Sequence, residues 1–434
     1  MAPTEDPGVA FALDEEKRTT TPPAPTAEPG ETPASNTPEF EAAPEGGLRA
    51  WTVAAGGACI FFSCLGFSNA FGVFQEYYMT HQLRDKSPDD IAWIGSVGGF
   101  IQFAVGAVGG PLFDRMIRPA AVAYIFAMMM LSLSHSYYQI MLTQGVLMGI
   151  CMGAMQFPAF AAVSQYFEKK RAAALGIVVS GSSIGGIVIP IAVSKMLNSS
   201  SLGFGWSVRT IGFLTTPLML FACMAIKARL PPRQTTFFIW AAFRNTKFNL
   251  LIAALFFMFM GMFAPLFFLP TYAVMRGVDA AMASYLLAIL NAASTFGRII
   301  PGVLADKYGR LNMFALAGIS TGVIILCMNS ATSTAGLVVY SIAIGFTSGT
   351  IISGGSAAIS LCPDDPRNIG TYMGMGLAVG SLAALIGPPV NGALVKEYGG
   401  FSQVSIFSGV VSLVGGVIAA LSKLATPEGI LGRV

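Results

Sequence analysis

From Arg49 onward, apolar runs of about twenty residues follow one another, separated by short polar connections. A bilayer core of ~30 Å is crossed by ~20 helical residues rising ~1.5 Å each. Twelve runs meet that length, at about 51–77, 91–113, 119–135, 138–166, 171–196, 207–228, 248–275, 281–305, 312–330, 334–361, 368–394 and 401–424. A water-soluble fold is excluded by the charge supply: 54% of the residues are hydrophobic and 11% charged, where soluble chains carry ~25%. Glycine and proline show no collagen-like period. The expected class is an all-α membrane protein whose first partner is the lipid bilayer.

The charges are unevenly placed. Residues 1–48 hold ten acids, two bases and nine of the 25 prolines, with few large apolar residues, which predicts a disordered acidic tail. No basic stretch followed by a short apolar core opens the chain, so the first span is expected to serve for targeting. If the tail is inside, the inner segments carry 18 Lys and Arg and the outer segments six. That bias places both termini in the cytoplasm of a multi-pass cell-membrane protein. The sequon Asn198-Ser199-Ser200 then falls outside. Five of the six cysteines lie inside apolar runs, Cys362 near the end of one, and no C-x-x-C occurs, so they read as small hydrophobes.

The sequence repeats itself. Gly110 to Arg118 and Gly302 to Arg310 both read G-x-L-x-D-(R/K)-x-x-R, six spans apart. Gly181-Ser182 precedes Pro190 as Gly380-Ser381 precedes Pro389. An even number of spans per half gives both halves the same orientation. The expected organisation is a tail over 1–48, a six-helix half over 49–229, a basic cytoplasmic linker over 230–247, a second half over 248–424 and a short cytoplasmic tail over 425–434.

This pattern resembles the major facilitator superfamily across 49–434. The resemblance implies twelve helices in two six-helix pseudo-symmetric halves, working by alternating access. It also implies a cytoplasmic gate at Asp114, Arg115, Asp306, Lys307 and Arg310. A carboxylate and a guanidinium at helix ends can pair when such a gate shuts and hydrate when it opens. More narrowly, Glu45 to Trp51 looks like the entry signature of the monocarboxylate porter family in its fungal form, and Tyr166 to Gly176 like its second signature. Trp51 also suits an interfacial anchor, and Lys169 to Arg171 a positive-inside cluster.

Arg298 is the exceptional charge. It sits inside the eighth run, eight residues before Asp306, or ~12 Å by helical rise. Burying it there costs ~2.5–3.5 kcal/mol on insertion scales. Asn291 and Ser294 precede it by seven and four residues and are expected on its face. A polar stripe with one cation argues for an aqueous cavity, and the guanidinium fork suits a carboxylate. The alternative is a snorkelling or structural arginine. The resemblance favours the first reading, because the family carries a substrate-binding arginine at this place. It carries an aspartate four residues earlier in its proton-coupled members, where this chain has Ser294, and their first-helix lysine has no counterpart near Asn69. No Asp or Glu lies mid-span, so proton coupling through a buried carboxylate is not expected, and a proton co-substrate is left open.

Asn69 and Gln156 join Arg298, Asn291 and Ser294 as candidate substrate contacts. Phe263, Phe267, Phe268 and Tyr272 could flank a bulky apolar body, or face lipid and core instead. Glycines at four-residue spacing, such as Gly95/Gly99, Gly181/Gly185 and Gly345/Gly349, read as helix-packing faces. Gly181 to Gly185 spells the G-x-S-x-G of a hydrolase elbow, but a nucleophile elbow needs a strand, a turn and a histidine base. No phosphate-binding, zinc or nucleic-acid motif occurs, so no catalytic residue, metal, cofactor or nucleic-acid partner is expected. The leading expectation is a transporter of an organic anion of monocarboxylate type. Export of a larger acidic metabolite is the first alternative, and a non-transporting sensor with the same fold the second.

Overall fold

A computed structural model describes residues 43–86, 88–105, 113–198, 201–229, 239–426 and 429. The acidic tail to residue 42, the linker segment 230–238 and the first residues of the Gly110 motif lie outside it. All regular structure among the described residues is helical.

Each expected span is a helix. α1 runs Gly47–Asn69, breaks at Ala70, resumes as Phe71–Tyr77 and ends in a π-helical turn, Tyr78–Gln82. α2 is Pro88–Ala104 and α3 is Phe113–Leu131. α4 spans Tyr137–Tyr166 and includes a π-helical stretch, Met141–Leu147. α5 is Arg171–Asn198, α6 Gly203–Ala225, α7 Thr246–Met275 and α8 Ala280–Tyr308. α9 is Arg310–Leu326, α10 Thr334–Ile359, α11 Ile369–Tyr398 and α12 Ser402–Leu421. Ten of the spans are long and apolar enough to cross a membrane; α2, as described, and the apolar part of α3 are shorter.

Local chemistry sets the ends. The Asn245 side chain accepts the amide of Phe248 at the start of α7, and Ser333 does the same for Gly336 at α10. Gly309 takes φ 103° between α8 and α9, a conformation that a side chain would strain, and across this turn Arg310 pairs with Asp306.

Small residues decide how closely the helices approach, because lipid supplies no hydrophobic drive between them. Gly181 and Gly185 of α5 seat on the Ala58 and Phe62 carbonyls of α1, and Gly297 of α8 on the Phe346 carbonyl of α10. A β-carbon on Gly66 would stand 2.7 Å from the Gly185 Cα. Gly99 differs: among the described residues nothing lies within 4 Å of a β-carbon placed there. Helices α1–α6 pack among themselves, with α1 against α4, α5 and α6, and helices α7–α12 do likewise. The two sets meet where α5 lies against α8 and α10, and where α2 and α4 lie against α11. The α5–α8 crossing carries the candidate site. We refer to the end bearing the α4–α5 and α8–α9 connections as the basic end.

Candidate substrate site

Arg298 is buried, 7% exposed, at the α5–α8 crossing. Its Nη1 donates to the Val179 carbonyl of α5 at 2.9 Å and to the Ser182 hydroxyl. Ser182 in turn donates to Val179 at 2.8 Å. Among the described residues the Nε of Arg298 has no partner, and neither has the buried hydroxyl of Ser183. Among the described residues no carboxylate pairs with this guanidinium. Close approach depends on glycines: a β-carbon on Gly176 would collide with the Arg298 carbonyl, and one on Gly302 would stand 2.8 Å from the Ala172 carbonyl.

The expected polar stripe splits. Asn291 faces α5 as Arg298 does. A β-carbon on Gly186 would stand 2.6 Å from Asn69 Nδ2 and 3.3 Å from Asn291 Oδ1, so both asparagines converge on that bare stretch of α5. Asn291 Nδ2 donates to the Leu287 carbonyl at 3.1 Å. Ser294 turns elsewhere: its oxygens lie 2.7 Å from where a Gly349 β-carbon would be, against α10. At about 100° per residue, Ser294 lies ~40° around the helix from Arg298 and ~60° from Asn291, enough to turn it toward α10.

Gln156 belongs to a separate cluster. Its Oε1 accepts Gln102 Nε2 at 3.2 Å, and Gln102 Oε1 accepts the Ser68 hydroxyl at 3.1 Å, joining α1, α2 and α4. Among the described residues Gln156 Nε2 has no oxygen or nitrogen partner. The aromatic candidates do not form one wall. Tyr272 is buried and donates to the Ala331 carbonyl at 3.3 Å, Phe268 packs on Phe401, and Phe267 is 59% exposed.

At the basic end the same two helices meet through charge. Asp306 accepts the amides of Ala172 and Ala173 at 3.0 and 2.8 Å, placing a carboxylate on the unsatisfied N–H groups at the start of α5. Arg310 pairs with Asp306 at 3.2 Å and donates to the Glu168 carbonyl. Lys307 stays exposed over the Tyr308 ring and takes no part. The side chains of Asp114 and Arg115, and that of Asn198 in the sequon, lie outside the described residues.

Two residues here were not expected as site residues. Arg171 reaches across to the Ser360 carbonyl, at the end of α10, at 3.4 Å. Glu45 accepts the amides of Glu168, Lys169 and Lys170 at 2.7, 2.6 and 3.1 Å. Burial pushes its carboxyl up, but those three amides outweigh it and hold the acid below its ordinary range. Trp51 packs on Phe167 at 4.9 Å, so the two signature segments touch. The only hint in the sequence was an acid in each motif and a helix start needing one.

The family model for the Major Facilitator Superfamily matches residues 57–328 and 276–431. The aspyridones efflux protein apdF of Emericella nidulans is 50% identical over 396 residues, covering 90% of this chain and 81% of that protein. The agnestins efflux protein AgnL12 of Paecilomyces divaricatus is 40% identical, covering 88% and 89%. The human organic anion transporter MFSD10 (TETRAN) superposes with a TM-score of 0.68 at 15% identity, covering 86% of this chain and 100% of that one, which speaks to the fold. The two fungal relatives are named for efflux, of aspyridones and of agnestins, and neither is named for a monocarboxylate.

Proposed function

This chain belongs to the Major Facilitator Superfamily, and we propose that it exports an acidic secondary metabolite by alternating access. That it is a membrane transporter of this type follows from the family. Export is favoured by the relatives, named for efflux of aspyridones and of agnestins. The anionic character of the cargo rests on one observation: among the described residues, a buried guanidinium between the two helix sets has an Nε without a partner and no carboxylate paired with it. An acid entering there supplies the missing counter-charge, and Asn69 and Asn291 at Gly186 offer amides to its polar substituents. Contact between the Glu45–Trp51 and Tyr166–Gly176 segments supports kinship with the fungal branch of the monocarboxylate porters.

The basic end is read as cytoplasmic, from the distribution of Lys and Arg. Asp306, Arg310 and Arg171 are then the cytoplasmic closure, with both halves bonded through the start of α5. An untargeted comparison of metabolites inside and outside producing cells, with and without the protein, tests the direction and the cargo. The reading expects an organic acid to accumulate inside when the protein is removed. Accumulation of neutral or cationic compounds alone would overturn it.

A further inference from the structure

We infer that Ser182 and the Val179 carbonyl are the partners that let Arg298 stay buried when no substrate is bound, so that the empty carrier closes and returns alone. The inference rests on the reading of Arg298 as the anion site, because it concerns what that site does when vacant.

The reasoning starts from the cost of an unpaired buried cation. A carrier whose binding arginine has no substitute partner cannot close empty, and it is confined to exchanging one anion for another. Here α5 supplies the substitute from the opposite half. Val179 offers a carbonyl and Ser182 a hydroxyl, and both take Nη1 of Arg298. Ser182 donates its own proton to Val179, which leaves its oxygen lone pairs directed to the guanidinium. These are neutral acceptors. They tie Arg298 to α5 less strongly than an ionised carboxylate would, so an incoming acid can displace them. The Nε, buried and without a partner among the described residues, is a donor left over for that acid. The two serines in the Gly181–Gly185 motif thereby acquire different places: Ser182 holds the arginine, while the buried Ser183 hydroxyl has no partner among the described residues. Ser182 is a positioning residue in this scheme, acting through Arg298.

The test needs no substrate. Hydrogen–deuterium exchange is measured on the full chain in lipid nanodiscs, following the amides at the start of α5, including Ala172 and Ala173, which Asp306 protects in the closed form. The variants are Ser182→Ala, Ser182→Thr, Arg298→Met and the double variant Ser182→Ala/Arg298→Met. Losing one hydrogen bond to a charged group is expected to raise exchange there roughly tenfold in Ser182→Ala, with Ser182→Thr restoring protection. In the Arg298→Met background there is no cation to satisfy, so Ser182→Ala is expected to add nothing. An equal effect of Ser182→Ala in both backgrounds would make Ser182 a packing residue and overturn the inference, as would unchanged protection in Ser182→Ala. The anion reading can fail separately, since it depends on binding and flux measurements that this cycle does not use.

Discussion

The same two helices, α5 and α8, touch twice, and the contacts are built from opposite materials. Near mid-span a cation of α8 meets neutral oxygens of α5, out of water. Eight residues on, an anion of α8 meets the amides that open α5, at the edge of the bundle. Breaking the second contact costs little, because water can hydrate both the carboxylate and the amides as they part. Breaking the first is expensive unless another acceptor replaces Val179 and Ser182. The difference teaches a division of labour: the outer contact is exchanged for water and the inner one for substrate.

The comparison is broken most severely by Arg298→Ala. Removing one member of a buried anion–arginine pair costs ~3–5 kcal/mol, so export per inserted molecule is expected to fall by at least about a hundredfold. Arg298→Lys keeps the charge and loses the fork, and should recover part of that loss. Transport at the wild-type rate by a correctly inserted Arg298→Ala protein would refute the site. Asp306→Asn tests the other contact: exposure of the α5 amides to hydrogen exchange should rise about tenfold, consistent with loss of a charge-assisted bond, while substrate affinity stays near wild type.

Much of this was legible in advance, for a physical reason. Span length and the charge of connections are local properties, so all twelve helices and the odd cation at 298 could be read directly. The partners of that cation could not. Val179 and Ser182 lie 119 and 116 residues away in sequence, and no periodicity links a serine in one helix to an arginine in another. Glu45 was hidden likewise, since its three amide donors are 123 to 125 residues distant. Ser294 was expected beside Arg298 from spacing alone, yet Gly349 leaves room for it to turn to α10. The two π-helical stretches, where Tyr78 donates to Gln144 at 2.7 Å, left no mark in the apolar pattern.

Ser294→Asp sharpens the comparison more gently. It puts an acid one turn from Arg298 but against α10, so a few-fold pH dependence of export is expected, with weaker binding at high pH where the new carboxylate competes for Arg298. Counterflow at several pH values with a substrate of constant charge measures it. Uphill accumulation driven by a pH gradient alone in the unaltered protein would reveal a proton site outside this scheme.

Glu45 gives a smaller, pH-linked effect. Its acid is held below the ordinary carboxylate range, so its contribution is fully present above that range and is lost as pH falls through the lowered value. Thermal denaturation midpoints of wild type and Glu45→Gln should differ by a few degrees at neutral pH and converge in acid. A difference that stays constant with pH would show that the carboxylate charge is not what matters. The smallest effect is expected from deleting residues 1–40: flux per inserted molecule should stay within about twofold, because the segment has few large apolar residues to pack on the bundle. A large loss per molecule would make the tail part of the transport step.

The division between the two contacts is tested most directly by the affinity of the exported acid for three purified proteins in nanodiscs, measured calorimetrically. The account predicts that Asp306→Asn binds within about threefold of wild type, while Arg298→Ala binds about a hundredfold or more weaker. Equal losses in the two variants, or wild-type affinity in Arg298→Ala, would contradict it.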